Sequence, residues 1–335
     1  MKPLYRNLFL LFGLCALAFM VWQFPEGWET IRDNKARVLL YLPGVVGIWL
    51  FVYLLNAWAF QLMVNTSDHD KHLQFRHALK LTISGYAFSY TTPFGSGGGP
   101  YRVMELSRHI GMPRAVSSVA LYAMMHMFSH FFLWTTALIV FVALHAAQVT
   151  PALWALFALY LLVFVAAIIF FSYSYKHGIL ARLFRLLFYL PLLGPPAQRF
   201  YDRHREAFQT IDANFRFLYE HPRQLWGSLI MEYVGRLLNS FEFYFILLAF
   251  GLANVTFADA LLIPGFSSLM GNLLFFLPMQ IGAREGSMAV IVPLLFAGVS
   301  GALGIYVAFF TRIREIFWIA VGLLLVKIGN KSLMR

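Results

Sequence analysis

The sequence predicts an all-α integral membrane protein, with about six full transmembrane helices and two re-entrant hairpins arranged as an inverted repeat. Its 335 residues are 60% hydrophobic and 12% charged, whereas a soluble domain carries about 25% charged residues. Apolar runs of helical length recur along the chain, and the alternation over about ten residues that is typical of an outer-membrane barrel is absent. No stretch is long and polar enough for a soluble domain, so residues 1–335 are expected to form a single polytopic membrane domain.

The charge distribution indicates contact with lipid rather than nucleic acid. The net charge is +11, and the basic residues lie between hydrophobic segments, where they set topology and meet anionic headgroups. Membrane lipids are therefore the expected partners, and formation of a homo-oligomer stays open. Cys15 is the only cysteine, which excludes a disulfide within the chain and a thiolate metal cluster.

Six apolar runs are long enough to be full spans, and they place both termini in the cytoplasm. The basic loop at residues 176–223, with eight Lys or Arg against four Asp or Glu, is cytoplasmic by the positive-inside rule. Within it, residues 196–219 predict an amphipathic helix that packs on its own protein or lies among headgroups. A cleavage-like Ala16-Leu17-Ala18 leaves a signal peptide as the alternative for the first run. The runs are residues 8–24, 38–64, 115–145, 151–173, 225–250 and 302–327.

Two regions, residues 76–112 and 257–299, fit re-entrant hairpins better than full spans. Each has two arms around a break rich in proline and glycine. Broken backbone survives at membrane depth only where protein or a wet cavity satisfies its amides and carbonyls. Two true spans at either place would leave the topology unchanged, so that alternative stays open. The residues predicted to shape the breaks are Pro93, Gly95, Gly97, Gly98, Gly99, Pro278 and Gly282.

Span, hairpin and span occur twice, in residues 38–145 and 225–328, with residues 146–224 as the linking span and basic loop. Each break begins at a proline, and a glycine precedes the next long helix. The distance between them is 18 residues in the first copy, from Pro93 to Gly111, and 20 in the second, from Pro278 to Gly298. Because the copies enter the membrane from opposite sides, a flip across its plane relates them. Paired broken segments of this kind are typical of transporters with a midplane binding site. Coincidental kinks are the alternative.

The second copy concentrates charges in otherwise apolar segments. Arg284 and Glu285 follow the break, and Arg312, Arg314 and Glu315 lie near the centre of the last span. A central charge costs about 2.5–3.5 kcal/mol on insertion scales, so these residues must pair, line water, or both. One hypothesis is a structural Arg-Glu network. The other is a phosphate bound by the planar fork of an arginine, with a glutamate that orients or releases it.

The first copy offers different candidates. Arg102 holds the matching position in its hairpin, either as a phosphate ligand or as a charge that sets topology. His126 and His130 lie at i and i+4 inside a span. Since no further ligand accompanies them in sequence, a polar contact or a place in the site is favoured over a metal site.

Three further charges lie on the span at residues 225–250. Glu232 and Arg236 are four residues apart, which predicts that they pair with each other along the helix. Glu242 lies deeper and is a secondary candidate for the site. The glycine run at residues 95–99 lacks the Gly-Lys-Ser/Thr of a P-loop and the strand of a dinucleotide fingerprint, so no cofactor is expected.

The second break resembles a signature of the lysylphosphatidylglycerol synthase transmembrane, or flippase-like, family. The signature reads Pro278-x-x-x-Gly282-x-Arg284-Glu285, followed by Gly298 and Arg312. The resemblance covers nearly the whole chain in span count and motif order. The first motif departs from it, because Gly99 stands where members usually have glutamate, and a later Glu-Arg pair is replaced around Met125 and His126.

The resemblance implies a bacterial inner-membrane protein, not an enzyme, that moves a lipid between leaflets. In the best-understood members the lipid is an aminoacylated phosphatidylglycerol, made by a soluble aminoacyltransferase domain that these residues do not contain. Polyprenyl-phosphate carriers and other anionic glycerophospholipids are therefore equally open as substrates. Two other classes remain: a secondary transporter of a small anionic solute, and a membrane-embedded lipid-phosphate transferase with His126, His130 or Glu285 as its base.

Overall fold

The computed structural model describes residues 35–65, 72–92, 97–177, 194–203, 205–252, 254–273 and 283–328, with the single positions 32 and 189. Across these ranges the regular structure is helical, which confirms the all-α prediction. The first apolar run and the predicted break residues Pro93, Gly95, Pro278 and Gly282 lie outside the described residues. The helices are α1 (Lys35–Asn65), α2 (Phe75–Thr91), α3 (Gly98–Ile110), α4 (Met112–His145), α5 (Pro151–His177), α6 (Gly194–Arg203), α7 (Arg205–Glu220), α8 (Pro222–Ala249), α9 (Phe257–Leu273), α10 (Ala283–Leu295) and α11 (Gly301–Ile328).

Among the residues that the structure describes, three helices are long and apolar enough to cross a membrane by length and composition alone. They are α1, α4 and the stretch Pro151–Ile169 of α5. α8 and α11 each have 28 residues, a length of about 42 Å, but both carry buried charged side chains along their middle. The bundle therefore combines long, mostly apolar helices with long helices that bring charge into the core.

The two regions expected to form hairpins contain pairs of short helices with matching lengths. α2 and α9 each have 17 residues, and α3 and α10 each have 13. These helices measure about 25 Å and 20 Å, less than the roughly 30 Å of a hydrocarbon core. Each pair is followed by a glycine with φ +79°, Gly111 and Gly298, a conformation that glycine adopts without steric cost. Both glycines turn the chain into the long helix that follows.

The central contact of the bundle joins α1 to α8. Gly44, early in α1, lies against Phe245, late in α8. Near the other end, Ser228 Oγ donates a hydrogen bond of 3.2 Å to the carbonyl of Ala59. Since early residues of one helix meet late residues of the other, the two helices run antiparallel. They contribute side chains to both polar clusters described below.

The remaining contacts follow the same pattern in two halves. α1, α2, α3 and α4 each pack on the next, as do α8, α9, α10 and α11. The first short helix of each half also packs on the last long helix of the other half, α2 on α11 and α9 on α4. Glycine permits both approaches, because Gly322 faces Ala87 and Gly265 faces Ala137 with no side chain between.

The basic region contains two helices, α6 and α7, where the sequence predicts a single amphipathic helix. α7 packs against α4 and makes smaller contacts with α5 and α8. Phe208 is buried beside the rings of Phe200 and Tyr201, at centroid distances of 6.3 and 5.1 Å. The apolar side of α7 thus contacts the protein itself. This favours packing of the segment on its own protein over a position among lipid headgroups.

Candidate functional site

Charged side chains from α8, α10 and α11 meet inside the second half. Glu315 is at the centre: its Oε1 accepts a hydrogen bond from Arg284 Nη1, and its Oε2 accepts one of 3.0 Å from Arg312 Nη1. Arg312 Nη2 also donates to Glu285 Oε1 at 2.9 Å. These contacts tie α10 to α11. We call the following residues the arginine–glutamate cluster: Glu242, Arg284, Glu285, Arg312, Arg314 and Glu315.

Arg314 connects this cluster to α8 and α1. Its Nε and Nη2 donate to the two carboxylate oxygens of Glu242, at 2.9 and 3.3 Å. Trp49 Nε1 donates to Glu242 Oε2 at 2.6 Å, and the guanidinium lies 3.8 Å from the Trp49 ring centroid. Such bidentate, charge-assisted bonds are stronger and more directional than neutral ones, and the ring adds a cation–π contact.

The arginine–glutamate cluster is balanced in charge and mostly buried. Three arginines face three glutamates, and each arginine contacts at least one carboxylate. The side chains of Glu242 and Glu315 are fully buried, and those of Arg312 and Arg314 are 4% exposed. The predicted structural network is therefore present. A phosphate on Arg284 or Arg312, which stays a prediction, would have to displace Glu285 or Glu315.

A second group of polar side chains lies in the first half, between α1, α2, α3, α4 and α8. It includes four residues singled out from the sequence, Arg102, His126, Glu232 and Arg236, together with aromatic and amide side chains that the sequence did not single out. Four of its side chains are buried, and those of Tyr86, His126 and Arg236 are partly exposed. We call the following residues the tyrosine–histidine cluster: Asn56, Tyr86, Arg102, Tyr122, His126, Glu232 and Arg236.

Arg102 lies in an aromatic cage. Its guanidinium carbon is 5.5, 5.4 and 5.1 Å from the ring centroids of Phe60, Tyr86 and Tyr122. Each such contact contributes about 0.5–2 kcal/mol, so three of them offset much of the 2.5–3.5 kcal/mol insertion cost of a central charge, on the order-of-magnitude scale. Gly85 lies beneath, where a Cβ would come within 2.5 Å of Arg102 Nε. The cage holds the cation in place without neutralising its charge.

The imidazole of His126 joins α4 to α8 and α2. Its Nδ1 lies 2.6 Å from Glu232 Oε2 and 3.2 Å from the Tyr86 hydroxyl. The Tyr86 hydroxyl accepts a hydrogen bond of 3.1 Å from Asn56 Nδ2. An ionised carboxylate only accepts, so Nδ1 carries a proton directed at Glu232. His126 therefore has a polar contact, as the sequence favours.

Glu232 and Arg236 do not pair along their helix as predicted. Glu232 bonds to His126, while Arg236 Nε donates to Ser129 Oγ at 2.5 Å and its Nη2 to the His126 carbonyl at 3.0 Å. The i,i+4 rule describes an isolated helix surface. Here α4 packs against that surface and supplies closer partners for both side chains.

His130 lies on the edge of the tyrosine–histidine cluster. Its ring stacks on Trp134 at 5.4 Å and meets His126 edge to face at 5.5 Å. Its Nδ1 is buried and makes no hydrogen bond within the described residues. In that part of the chain no three His, Cys, Asp or Glu side chains are grouped as metal ligands.

The described glycines of the run, residues 97–99 at the start of α3, allow close packing against α2. Gly97 N–H donates to Thr92 Oγ1 at 2.7 Å. A Cβ at Gly98 would collide with the carbonyl of Gly85 and the hydroxyl of Ser89 on α2, whereas Gly99 has only Val119 nearby, at 4.0 Å. Gly98 thus lets the backbones of α2 and α3 come close together.

Tyr53 bridges the two clusters. Its ring centroid lies 5.4 Å from that of Trp49, beside Arg314, and 5.5 Å from that of Tyr86, beside Arg102. Trp49 and Asn56 are seven positions apart on α1, so the clusters are offset by about 10 Å along the helix axis. Sequence reasoning missed this aromatic row; its signal is Trp, Tyr and Asn at positions 49, 53 and 56, which share one face of α1.

An all-α bundle with buried charges at mid-helix and short paired helices defines a multi-pass membrane protein. The chain belongs to the family described as lysylphosphatidylglycerol synthase TM region, whose model matches residues 8–322. This confirms the resemblance and assigns the protein to a membrane, lipid-related family. No curated protein and no solved structure matches the chain.

Proposed function

We propose that the protein moves a phosphate-bearing lipid between the leaflets of the bacterial inner membrane, without altering it chemically. One observation carries this proposal: an otherwise apolar bundle contains two buried polar clusters linked by ring contacts through Tyr53, and in this proposal the two clusters line one route. Buried ionisable groups in a membrane protein mark substrate or ion pathways by default, because their insertion is costly. A lipid headgroup is the polar species that must travel such a route in a lipid-related family.

The inverted repeat gives this route its two sides. In this proposal α2–α3 opens from the cytoplasm and α9–α10 opens from the opposite face, with six full spans around them and both termini in the cytoplasm. The equal helix lengths and the reciprocal contacts of α2 with α11 and α9 with α4 support it. Transporters of this architecture alternate access by moving one repeat element against the other.

In this proposal the arginine–glutamate cluster holds the second hairpin closed until alternating access opens it. Opening of the second hairpin moves α10 relative to α11, which requires Arg312 to leave Glu285 and Arg284 to leave Glu315. Exchange of these partners for the phosphate oxygens of a passing headgroup would keep the arginines paired throughout. The substrate is an anionic or aminoacylated phospholipid, or a polyprenyl phosphate, moved by its own gradient or by coupled ions.

A liposome assay tests the proposal. Purified protein is reconstituted with a trace of phosphatidylglycerol that carries a fluorophore on one acyl chain, and a membrane-impermeant reductant quenches the outer leaflet. We expect the protected inner-leaflet fraction to fall in proteoliposomes and to persist in protein-free vesicles. Equal protected fractions in both would contradict lipid movement.

Four comparisons sharpen that assay. The paired variant Arg312→Gln/Glu285→Gln removes one positive and one negative charge, so the cluster stays balanced, and we expect much slower lipid movement from it. Arg108→Gln, an exposed charge on α3, is the matched control and keeps the wild-type rate. Uptake of a labelled phosphate ester into the same vesicles without lipid movement indicates a solute transporter instead, and new lipid products by mass spectrometry indicate a transferase.

A further inference from the structure

His126 and His130 place two imidazoles one helical turn apart in the middle of α4, a helix apolar enough to span a membrane. Their rings meet edge to face at a centroid distance of 5.5 Å. Imidazole is the side chain whose charge ordinarily changes between about pH 5 and pH 8, and chains of His, Asp and Glu inside membrane proteins serve as proton relays. The proposed lipid movement assigns no task to either ring.

The hydrogen bonds of His126 leave one ring nitrogen available to a proton. Nδ1 is directed at Glu232 Oε2, at 2.6 Å, and lies 3.2 Å from the Tyr86 hydroxyl. Nε2 makes no hydrogen bond within the described residues, and the side chain is 30% exposed. A proton on Nε2 would therefore form an ion pair with a buried carboxylate that is already in place, which offsets the cost of a buried cation.

His130 offers the next proton acceptor along α4. Its Nδ1 is buried and makes no hydrogen bond in the described part of the chain. A buried polar atom without a partner is costly, so a proton or a water molecule that binds this nitrogen lowers that cost. The ring stacks on Trp134 at 5.4 Å, which holds it beside His126.

Groups of both charges surround His126. Arg236 Nη2 donates to the His126 carbonyl at 3.0 Å, and Arg102 lies over two tyrosine rings that are 5.9 and 6.0 Å from the imidazole. A carboxylate favours a proton on the ring and an arginine opposes it, so movement of either group changes the protonation of the ring. Within the described residues, the titratable and charged side chains that face His126 from α2, α3, α4 and α8 are Tyr86, Arg102, Tyr122, His130, Glu232 and Arg236.

We propose that His126, paired with Glu232, binds and releases the proton that drives lipid movement, with His130 as the second carrier. This inference rests on the proposed lipid movement and names its coupling ion. The proton comes from water on one side of the membrane, binds a ring nitrogen and returns to water on the other side. No covalent bond of the lipid is made or broken, and no electrons are transferred.

The position of Arg102 on α3 links this proton to the first hairpin. When the hairpin moves in the proposed cycle, the distance between this cation and His126 changes, and with it the preference of the ring for a proton. Coupling of this kind is reciprocal, so a proton on the ring favours the hairpin position in which Arg102 is farther away. The bond from His126 to Glu232 also joins α4 to α8, one helix from each half.

The distribution of lipid at the end of transport tests the coupling. Proteoliposomes with labelled phosphatidylglycerol receive a pH gradient, while potassium and valinomycin hold the membrane potential at zero. One proton for each lipid, at a pH difference of about one unit, supports about a tenfold ratio of label between leaflets, because a tenfold ratio corresponds to about 1.4 kcal/mol. The fast phase of quenching by the impermeant reductant measures the outer-leaflet share, and protein-free vesicles under the same gradient give the background. This end point depends on the driving force, not on the rate or the orientation of the protein.

Three variants locate the proton. His126→Asn removes the titratable ring and keeps an amide donor for Glu232, and Glu232→Gln keeps an acceptor and removes the anion; both should leave the label evenly distributed, at whatever rate they move it. His109→Asn, in the last turn of α3, removes an imidazole outside the cluster and should keep the wild-type ratio. The wild-type ratio in both His126→Asn and Glu232→Gln overturns the assignment. An even distribution in a wild type that does move the label overturns proton coupling and leaves lipid movement standing.

Titration of the rings tests the proton site without lipid transport. NMR of the purified protein with isotope-labelled histidine follows each ring, and the resonance of His126 is the one that His126→Asn lacks. If that variant does not fold, Glu232→Gln identifies the resonance, because its titration moves when the anion is lost. We expect this resonance to shift across the range from about pH 5 to pH 8 in which histidine ordinarily titrates. A ring that stays neutral throughout overturns the site. If His126 titrates but the wild type moves no lipid, the proposed function fails and the proton site stands.

Discussion

In the arginine–glutamate cluster every arginine contacts a carboxylate, whereas neither arginine of the tyrosine–histidine cluster contacts one among the residues that the structure describes. The first arrangement satisfies its charges internally and joins α8, α10 and α11. The second holds its cations by rings, carbonyls and a hydroxyl, which keep them in place but leave the charge in excess. Internal pairing suits a role in holding helices together, and incomplete pairing suits a role in binding a ligand.

The difference is clearest on the two helices that the clusters share. α1 offers Trp49 to one cluster and Asn56 to the other, and α8 offers Glu242 to one and Glu232 to the other. Both glutamates are buried. Burial alone therefore does not separate a structural carboxylate from one beside a binding site; the partner does. The predictions below vary the partner and keep the burial fixed.

The largest effect is expected from Glu315→Gln. This change keeps the shape of the side chain but leaves three arginines against two glutamates in a buried space. Removal of one partner from a buried ion pair costs about 3–5 kcal/mol, so little folded protein should be recovered. The measurement is the monodisperse yield and melting temperature in detergent. Recovery of folded protein at the wild-type level would show that the cluster does not hold the helices together.

A paired control follows from the same contacts. In Glu315→Gln/Arg284→Gln, one negative and one positive charge leave together, so the cluster stays balanced. Stability should recover by more than half of the loss seen in Glu315→Gln alone. A double variant that is less stable than the single one would instead indicate that the hydrogen bonds, not the charge balance, carry the effect.

Trp49→Phe is expected to have the next largest effect. Phenylalanine keeps a ring against Arg314 but removes the indole N–H that donates to Glu242 at 2.6 Å. A hydrogen bond to a charged group contributes about 1.5–3 kcal/mol, and that much stability should be lost in thermal unfolding. Trp58→Phe on the exposed side of the same helix is the control, with an expected change near zero. Equal changes in both would mean that ring packing, rather than the bond to Glu242, matters at position 49.

Gly322→Ala tests the approach of α11 to α2, next to both clusters. A Cβ at this position would lie 2.6 Å from Ala87 Cβ and 2.9 Å from the carbonyl of Ile83. Overpacking of this kind costs about 1–3 kcal/mol. Gly47→Ala in α1, where nothing lies within 4 Å, should instead be neutral or slightly stabilising, because alanine is the better helix former. Equal melting temperatures for the two variants would contradict close packing at Gly322.

Much of the fold could be predicted because hydrophobic run length and helix breaks are local properties. Residues 115–145 predict α4 to within a few positions at its start, and the glycines at 111 and 298 mark the turns before long helices. The proximity of Arg284 and Glu285 to the charges of α11 also followed from sequence, because charges in adjoining apolar segments must find one another. Pairing within each half is therefore largely readable from the chain.

Pairing between the two halves could not be predicted from the sequence. The contacts of Trp49 with Glu242 and of His126 with Glu232 span 193 and 106 positions, and they depend on the rotation and register of α8 against α1 and α4. One residue of register turns a helical face by about 100°. The same dependence explains why Glu232 and Arg236, adjacent on their own helix, bond to α4 instead. The aromatic cage of Arg102 likewise needs three helices to be placed first.

Glu232→Gln should have the smallest effect on stability, and it contrasts directly with Glu315→Gln. Both glutamates are 1% exposed, yet Glu232 contacts one imidazole where Glu315 contacts arginines. A glutamine oxygen can still accept the proton of His126 Nδ1, so the loss is the difference between a charge-assisted and a neutral hydrogen bond, about 1 kcal/mol. Melting curves in detergent measure that loss. A loss as large as that of Glu315→Gln would make the two clusters alike and would remove the distinction between their partners.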